Sequence, residues 1–311
     1  MRSIRNAVPA LLFVVATAFG ADERLVSLLM PDAKMIAGMS MEAGKGRPFA
    51  RFVLEQLQAE DEKFEKFLGE IGFDAEKDAN EVLVASTGDP ALVGVILARG
   101  SFDIAKIQAR AAAAGGKLID YAGIQILTNG EAGTGGLAFL DNTLAIMGDL
   151  TSVHGAIDRR ESKESLDAAL IAKMNDVSGA NDAWFVSILP MAQLAGKMPD
   201  PSVNVLMKGS AFGSILEASG GVRFGDNVLI SLQALTRSPK DSKALIDIVK
   251  FLAAMIQSNL SKNTAAALEK MKIGADENNV VRMSLTLPES VMEQIFQPAK
   301  LRAKAPAAPT R

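Results

Sequence analysis

The chain has 311 residues, with an apolar content of 49%, aromatic content of 5% and a formal net charge of −3. It contains no cysteine and one histidine, which excludes thiol catalysis, cysteine-based zinc sites and any site that needs two imidazoles. The mildly acidic charge does not favour nucleic acid as a partner, and the scarcity of aromatic rings disfavours a sugar-binding surface.

The N-terminus has the pattern of a cleavable secretory signal peptide at residues 1–20. Arg2 and Arg5 precede an apolar run at residues 7–19, and cleavage is expected after Gly20. The run is shorter than the roughly 20 residues that cross a bilayer, which disfavours the alternative of a permanent anchor. We therefore expect an exported protein, periplasmic or extracellular, with no transmembrane segment after cleavage. Without disulfides, its stability must come from packing.

The next part of the chain, residues 21–160, is predicted to be an N-terminal α+β half. Alternating apolar residues predict a strand at 34–42, and a 3.6-residue period predicts helix within 49–71. Further strands are predicted at 81–86 and 91–99, followed by a helix capped by Asp103, an extended stretch at 117–128 and a hairpin turning at Asp141 and Asn142. Asp149 is predicted to cap the helix that follows.

Residues 161–297 form the predicted C-terminal α+β half, after a polar linker at 159–165. It opens with a helix at 166–174, a strand at 183–189 and a hairpin with arms at 214–224 and 228–236. Ser238, Pro239 and Asp241 have the spacing of a helix start, with a cap, a first-turn proline and an acid. A strand at 280–287 and a helix to 296 complete it. A tail at 298–311, rich in Pro and Ala, is predicted to be disordered.

Both halves repeat the order strand, helix, hairpin, helix, strand. This predicts an α+β fold with a mainly antiparallel sheet, helices packed on one face and two β-α-β-β-α-β-like halves.

One pair of residues is a candidate for catalysis. His154 lies on a predicted helix with Asp158 one turn later, and a carboxylate that orients a histidine can make a general base. Such i,i+4 pairs are also common on helix surfaces, and no G-x-S-x-G motif accompanies this one. The alternative is a structural histidine.

Three methionines are candidates for metal binding. Met35, Met39 and Met41 would share one face of the first strand, and thioethers suit Cu(I). Methionines that share a face are equally typical of a core strand, since methionine fills gaps readily. No cofactor is expected.

Two glycine-rich stretches invite comparison with phosphate-binding loops. The loop GEAGTGG at 130–136 lacks the Lys-Ser/Thr pair of such a loop and leads into a strand. The stretch from Gly44 to Arg47 also lacks that pair, although it precedes a helix. Both are interpreted as connections.

The runs FLGEIGFDAEKDANEVLVAS, VILARGSFDIAKI and LAFLDNTLAIMGD resemble uncharacterised exported bacterial α+β proteins. The resemblance covers mainly residues 60–160. It implies no activity and assigns no site residues.

Together these features favour a non-catalytic envelope binding or interaction module. Its partner would be an apolar small molecule, of lipid or other aliphatic character, or an envelope protein. The alternative is a periplasmic hydrolase that uses His154 and a carboxylate. A ligand-sized apolar pocket would favour the first function, and His154 in a cleft beside Asp158 and a serine would favour the second.

Overall fold

The computed structural model describes residues 20–51, 66, 69–88, 94–128, 135–162, 164–194, 209, 211–258, 265–266 and 268–296. Outside the described residues lie positions 1–19 of the predicted signal peptide, most of the predicted helix at 49–71, the glycine loop up to residue 134 and the predicted tail.

The described strands are β1 (Met35–Ser40), β2 (Ala79–Ser86), β3 (Val95–Gly100), β4 (Lys117–Tyr121), β5 (Ile124–Thr128), β6 (Gly136–Asp141), β7 (Leu144–Gly148), β8 (Ala183–Ser187), β9 (Ile215–Arg223), β10 (Asn227–Thr236), β11 (Lys272–Ala275) and β12 (Val280–Pro288). They form one twelve-stranded sheet in the order β11-β12-β10-β9-β8-β1-β2-β3-β7-β6-β5-β4. Every neighbouring pair is antiparallel. The predicted α+β class with a mainly antiparallel sheet is confirmed.

The described helices are α1 (Glu23–Val26), α2 (Met41–Gly44), α3 (Ala75–Asp78), α4 (Ile104–Ala113), α5 (Leu150–Arg159), α6 (Ala168–Ala180), α7 (Met191–Leu194), α8 (Pro239–Ser258) and α9 (Glu289–Phe296), with a 3-10 turn at Phe212–Ser214. None of them has both the length and the apolar content that crossing a bilayer requires.

In the N-terminal half the helices cover both faces of the sheet. Val153 of α5 packs in the same core as Ile146 of β7, whereas Ile107 of α4 packs in the core of the neighbouring Met147, which points to the opposite face. The prediction placed helices on one face, and here the structure differs. The physical reason is that all five residues of β7 are buried, and a strand apolar on both sides needs cover on both sides.

In the C-terminal half α8 and α9 lie on one face of the sheet, whereas α6 lies on the other, where its Met174 packs in the same core as Val186 of β8. Leu245 of α8 packs with Val281 of β12, and Met292 of α9 packs with Leu285 of the same strand. Positions 281 and 285 share one face because side chains alternate along a strand. The register can be followed from β12 through β10, β9 and β8 to β1 and β2. It shows that α8 and α9 lie on the same face of the sheet as α4.

The first strand joins the two halves at the centre of the sheet. β1 pairs with β2 on one side and with β8, the first strand of the C-terminal half, on the other. Elements β8, β9, β10, α8, β11, β12 and α9 follow the same order as β1, β2, β3, α4, β6, β7 and α5, with the β4–β5 hairpin additional. The division after residue 160 stays a prediction, since the sheet continues without a break between β1 and β8.

Local signals for helix starts are found where the sequence predicts them. The carboxylates of Asp103 and Asp149 accept backbone N–H groups three residues on, at 3.1 and 2.9 Å. Ser238 Oγ accepts the Asp241 N–H at 3.2 Å and donates to its carboxylate at 2.8 Å. These side chains satisfy backbone groups that the first helical turn leaves without intrahelical partners.

Candidate functional site

A cavity of about 380 Å³ lies at the end of β1, within the size range of small-molecule sites. The cavity forms where β1 ends at Ser40, two residues before the predicted end of the strand at residue 42. Ser40 Oγ accepts the Ala43 N–H at 3.3 Å, which starts α2 and turns the chain towards a helical turn at Pro48. A strand end, a short helix and a loop therefore border the space, which stays partly open to solvent.

The apolar part of the cavity consists of core residues. Met39, Met41 and Ala50 line it and are 4%, 6% and 1% exposed. Gly44 closes one side, because a Cβ atom there would lie 2.9 Å from Ala50 Cβ and 3.0 Å from Met39 Cε. The lack of a side chain at Gly44 thus lets the loop approach the methionines closely.

The rim of the cavity is cationic. Lys45, Arg47 and Arg51 line it, and none of its described lining residues is acidic. Arg47 donates to Asp226 Oδ1 at 3.1 Å and to Glu289 Oε2 at 3.4 Å, and these bonds raise the pKa of its guanidinium. Its charge is therefore partly balanced.

Lys45 has a different electrostatic environment. It is exposed, and no described carboxylate lies within ion-pair distance of its ammonium group. Lys45 is thus a cation at the rim that neither Asp226 nor Glu289 neutralises.

Glu289 connects this rim to the C-terminal half of the chain. It begins α9 and is 15% exposed, and its second oxygen accepts the Phe49 N–H at 3.5 Å. The carboxylate therefore holds both the Arg47 side chain and the start of the helical turn at Pro48. This fixes the loop that carries the three cations.

The predicted catalytic pair is not assembled as a dyad. Asp158 accepts a hydrogen bond from the Tyr121 hydroxyl at 2.9 Å, and this bond raises the pKa of Tyr121. The His154 ring stacks on the Tyr121 ring, with centroids 3.8 Å apart, and its Nε2 is buried without a hydrogen-bond partner. The carboxylate expected to orient His154 is thus bonded to Tyr121.

The three candidate copper ligands do not converge either. Met39 and Met41 both line the cavity, but Met41 lies on α2 and not on the strand. Met35 lies four residues before Met39, about 13 Å away along the strand, so one ion cannot take all three thioethers. Among the described residues, no group of three or more His, Cys, Asp or Glu could hold a metal ion.

Two exposed apolar patches lie elsewhere on the surface. Phe251 and Met255, one turn apart near the end of α8, are 62% and 50% exposed. Leu118 and Ile119 of the edge strand β4 are 48% and 41% exposed.

The sequence interpretation missed the cations of the rim. It considered Gly44 to Arg47 only as a phosphate loop, and the signal it overlooked was three cations within seven residues directly after a methionine strand. Such a cluster next to apolar residues indicates a site with one charged and one apolar side.

Comparison with solved structures supports the fold. Crystal form I of TP0453 is similar, with a TM-score of 0.54 and 8% identity over 88% of this chain and 96% of that chain. Crystal form III gives a TM-score of 0.55 and 8% identity over 87% and 96%. No protein-family model matches the sequence, and no curated protein matches it. At this identity the likeness shows the α+β fold alone.

Proposed function

We propose that the mature chain is an exported, non-catalytic binding module of a bacterial envelope, and that it takes an apolar ligand of aliphatic character. The observation that supports this is the cavity at the end of β1, which has the size of a ligand site and is lined by Met39, Met41 and Ala50.

The lining favours an aliphatic group over a sugar. Methionine side chains are flexible and polarisable, so they adapt to a chain of methylenes. No aromatic ring is found among the described lining residues, and stacking on such rings is how sugars are usually held. Each methylene that leaves water contributes about 0.8 kcal/mol, most of it from the ligand's own surface.

Titration calorimetry with hexanol, octanol and decanol tests this function. Affinity should rise about fourfold for each added methylene, the equivalent of about 0.8 kcal/mol. The Met41→Gln variant, which places an amide in the cavity, should lose at least tenfold in decanol affinity. Met41→Leu is the matched control and should retain it.

Two results would contradict the proposal. One is the absence of alcohol binding to the wild type at millimolar concentration. The other is decanol binding to Met41→Gln as tightly as to the wild type, with thermal unfolding showing that the variant is folded.

The second candidate for the bound partner is a protein. The exposed apolar residues near the end of α8 favour it. Phe251 and Met255 form an apolar patch there, whereas the preceding exposed positions of this helix include Lys243 and Asp247. A photo-crosslinking residue at position 251 should yield a protein adduct in the host envelope, and the same residue at position 243 should not. Equal labelling from both positions would argue against a specific partner.

The hydrolase alternative gains no such support, because Asp158 is bonded to Tyr121.

A further inference from the structure

The chemistry of the cavity is asymmetric. Its apolar side is Met39, Met41 and Ala50, and its rim carries Lys45, Arg47 and Arg51 with no described acidic lining residue. A purely apolar ligand would leave the exposed ammonium group of Lys45 without an anionic partner. A purely ionic ligand would make no use of the apolar side of the cavity.

The three cations are not equivalent. Arg47 is held by Asp226 and Glu289, so it serves mainly to fix the loop. Lys45 follows α2 directly and is exposed, and no described carboxylate lies within ion-pair distance of it. Lys45 is therefore better placed than Arg47 to meet an anionic group on a ligand.

We propose that the ligand is a single-chain anionic amphiphile. Its carboxylate or phosphate head lies at Lys45 on the rim, and its aliphatic chain extends over Met39 and Met41. This inference rests on the proposed function and adds the charge of the ligand to it. The support is that a cation, Lys45, and an apolar surface, Met39 and Met41, line the same cavity. The charge of Lys45 is complementary to that of an anionic head group.

Calorimetric titration of the full mature chain with decanoate and decanol, which share their chain length, tests the charge. Decanoate should bind about threefold to fivefold more tightly than decanol, the range of an exposed ion pair. This advantage should shrink in 0.5 M salt, because mobile ions screen exposed charges.

Two variants locate the head group. Lys45→Gln should abolish the advantage of decanoate over decanol. Lys117→Gln is the matched control, since Lys117 is an exposed lysine on the edge strand β4, and it should behave as the wild type.

The outcomes separate this inference from the proposed function. Equal binding of decanol and decanoate would overturn the inference and leave the function standing, whereas no binding of either would overturn the function itself. An unchanged decanoate advantage in Lys45→Gln would overturn the role of Lys45. Complete displacement of decanoate by equimolar inorganic phosphate would show a site for free phosphate, which also overturns the inference.

Discussion

At Gly38, in the middle of β1, the sheet has room for a hydrogen atom and no more. A Cβ atom there would lie 2.5 Å from Trp184 Cζ2 and 2.6 Å from Leu83 Cδ2. We predict that Gly38→Ala lowers the free energy of unfolding by about 1–3 kcal/mol through overpacking. It should also shift the fluorescence of Trp184, the one tryptophan of the chain.

Urea unfolding measures this effect, with Gly274→Ala as the control. Gly274 lies on the edge strand β11, and no atom lies within 4 Å of the Cβ that it would gain. A change within about 0.5 kcal/mol is expected there. If the two variants were equally stable, the close packing at Gly38 would be refuted.

A second residue-scale prediction concerns Glu81, which is 15% exposed beside Arg99 and Asp22. Burial raises the pKa of its carboxyl above the ordinary 4.5. The folded chain therefore holds this proton more tightly than the unfolded chain, so Glu81 lowers stability as the pH rises from below 4.5 through the folded pKa.

Glu81→Gln removes this titration and keeps an oxygen that can accept the Asp22 N–H, now at 3.1 Å. Relative to this variant, the wild type should lose stability in urea between pH 4 and pH 7. A wild type that gains stability over the variant across the same interval would show that the pair with Arg99 outweighs burial.

At the scale of single elements, the start of α8 carries the next prediction. Ser238→Ala should lower the free energy of unfolding by about 1 kcal/mol, because the Asp241 N–H loses its acceptor. Ser238→Asp can still cap and should stay within a few tenths of a kcal/mol of the wild type. Chemical denaturation compares the two. Equal losses in both variants would mean that the cap has no role.

The elements also show which features sequence reasoning could predict. Caps such as Asp103 and Ser238 depend on neighbours a few residues away, so a local pattern predicts them. The hairpin turn is one residue later than predicted, because Asp141 still pairs with Leu144 while its carboxylate accepts the Thr143 N–H at 2.7 Å. Methionine spacing alone could not reveal that Ser40 ends β1, and the prediction therefore placed Met41 on the strand.

At the scale of the whole molecule, one sheet runs through both halves. Its central strand β1 comes from the start of the described chain, and its neighbour β8 lies almost 150 residues later. The pairing of strands so far apart leaves no local signal. Composition and element order could predict the α+β class, because both are read from the chain itself. For lack of a local signal, they could not predict that the halves meet between β1 and β8, or that the cavity lies at the end of β1.

The continuous sheet predicts cooperative unfolding of the two halves. Trp184 reports on the junction of β1 and β8, and far-ultraviolet circular dichroism reports on all helices and strands. The two signals should give coincident urea transitions, since separate unfolding of one half would expose the edge of β1 or β8. Two resolved transitions would show that the halves are independently stable.

The central claim, that the cavity holds an aliphatic ligand, is tested most directly by native mass spectrometry of the protein purified from its own host. The wild type should carry a co-purifying aliphatic molecule that Met41→Gln loses and Met41→Leu retains. Unliganded wild-type protein, or the same bound mass in all three proteins, would contradict the claim.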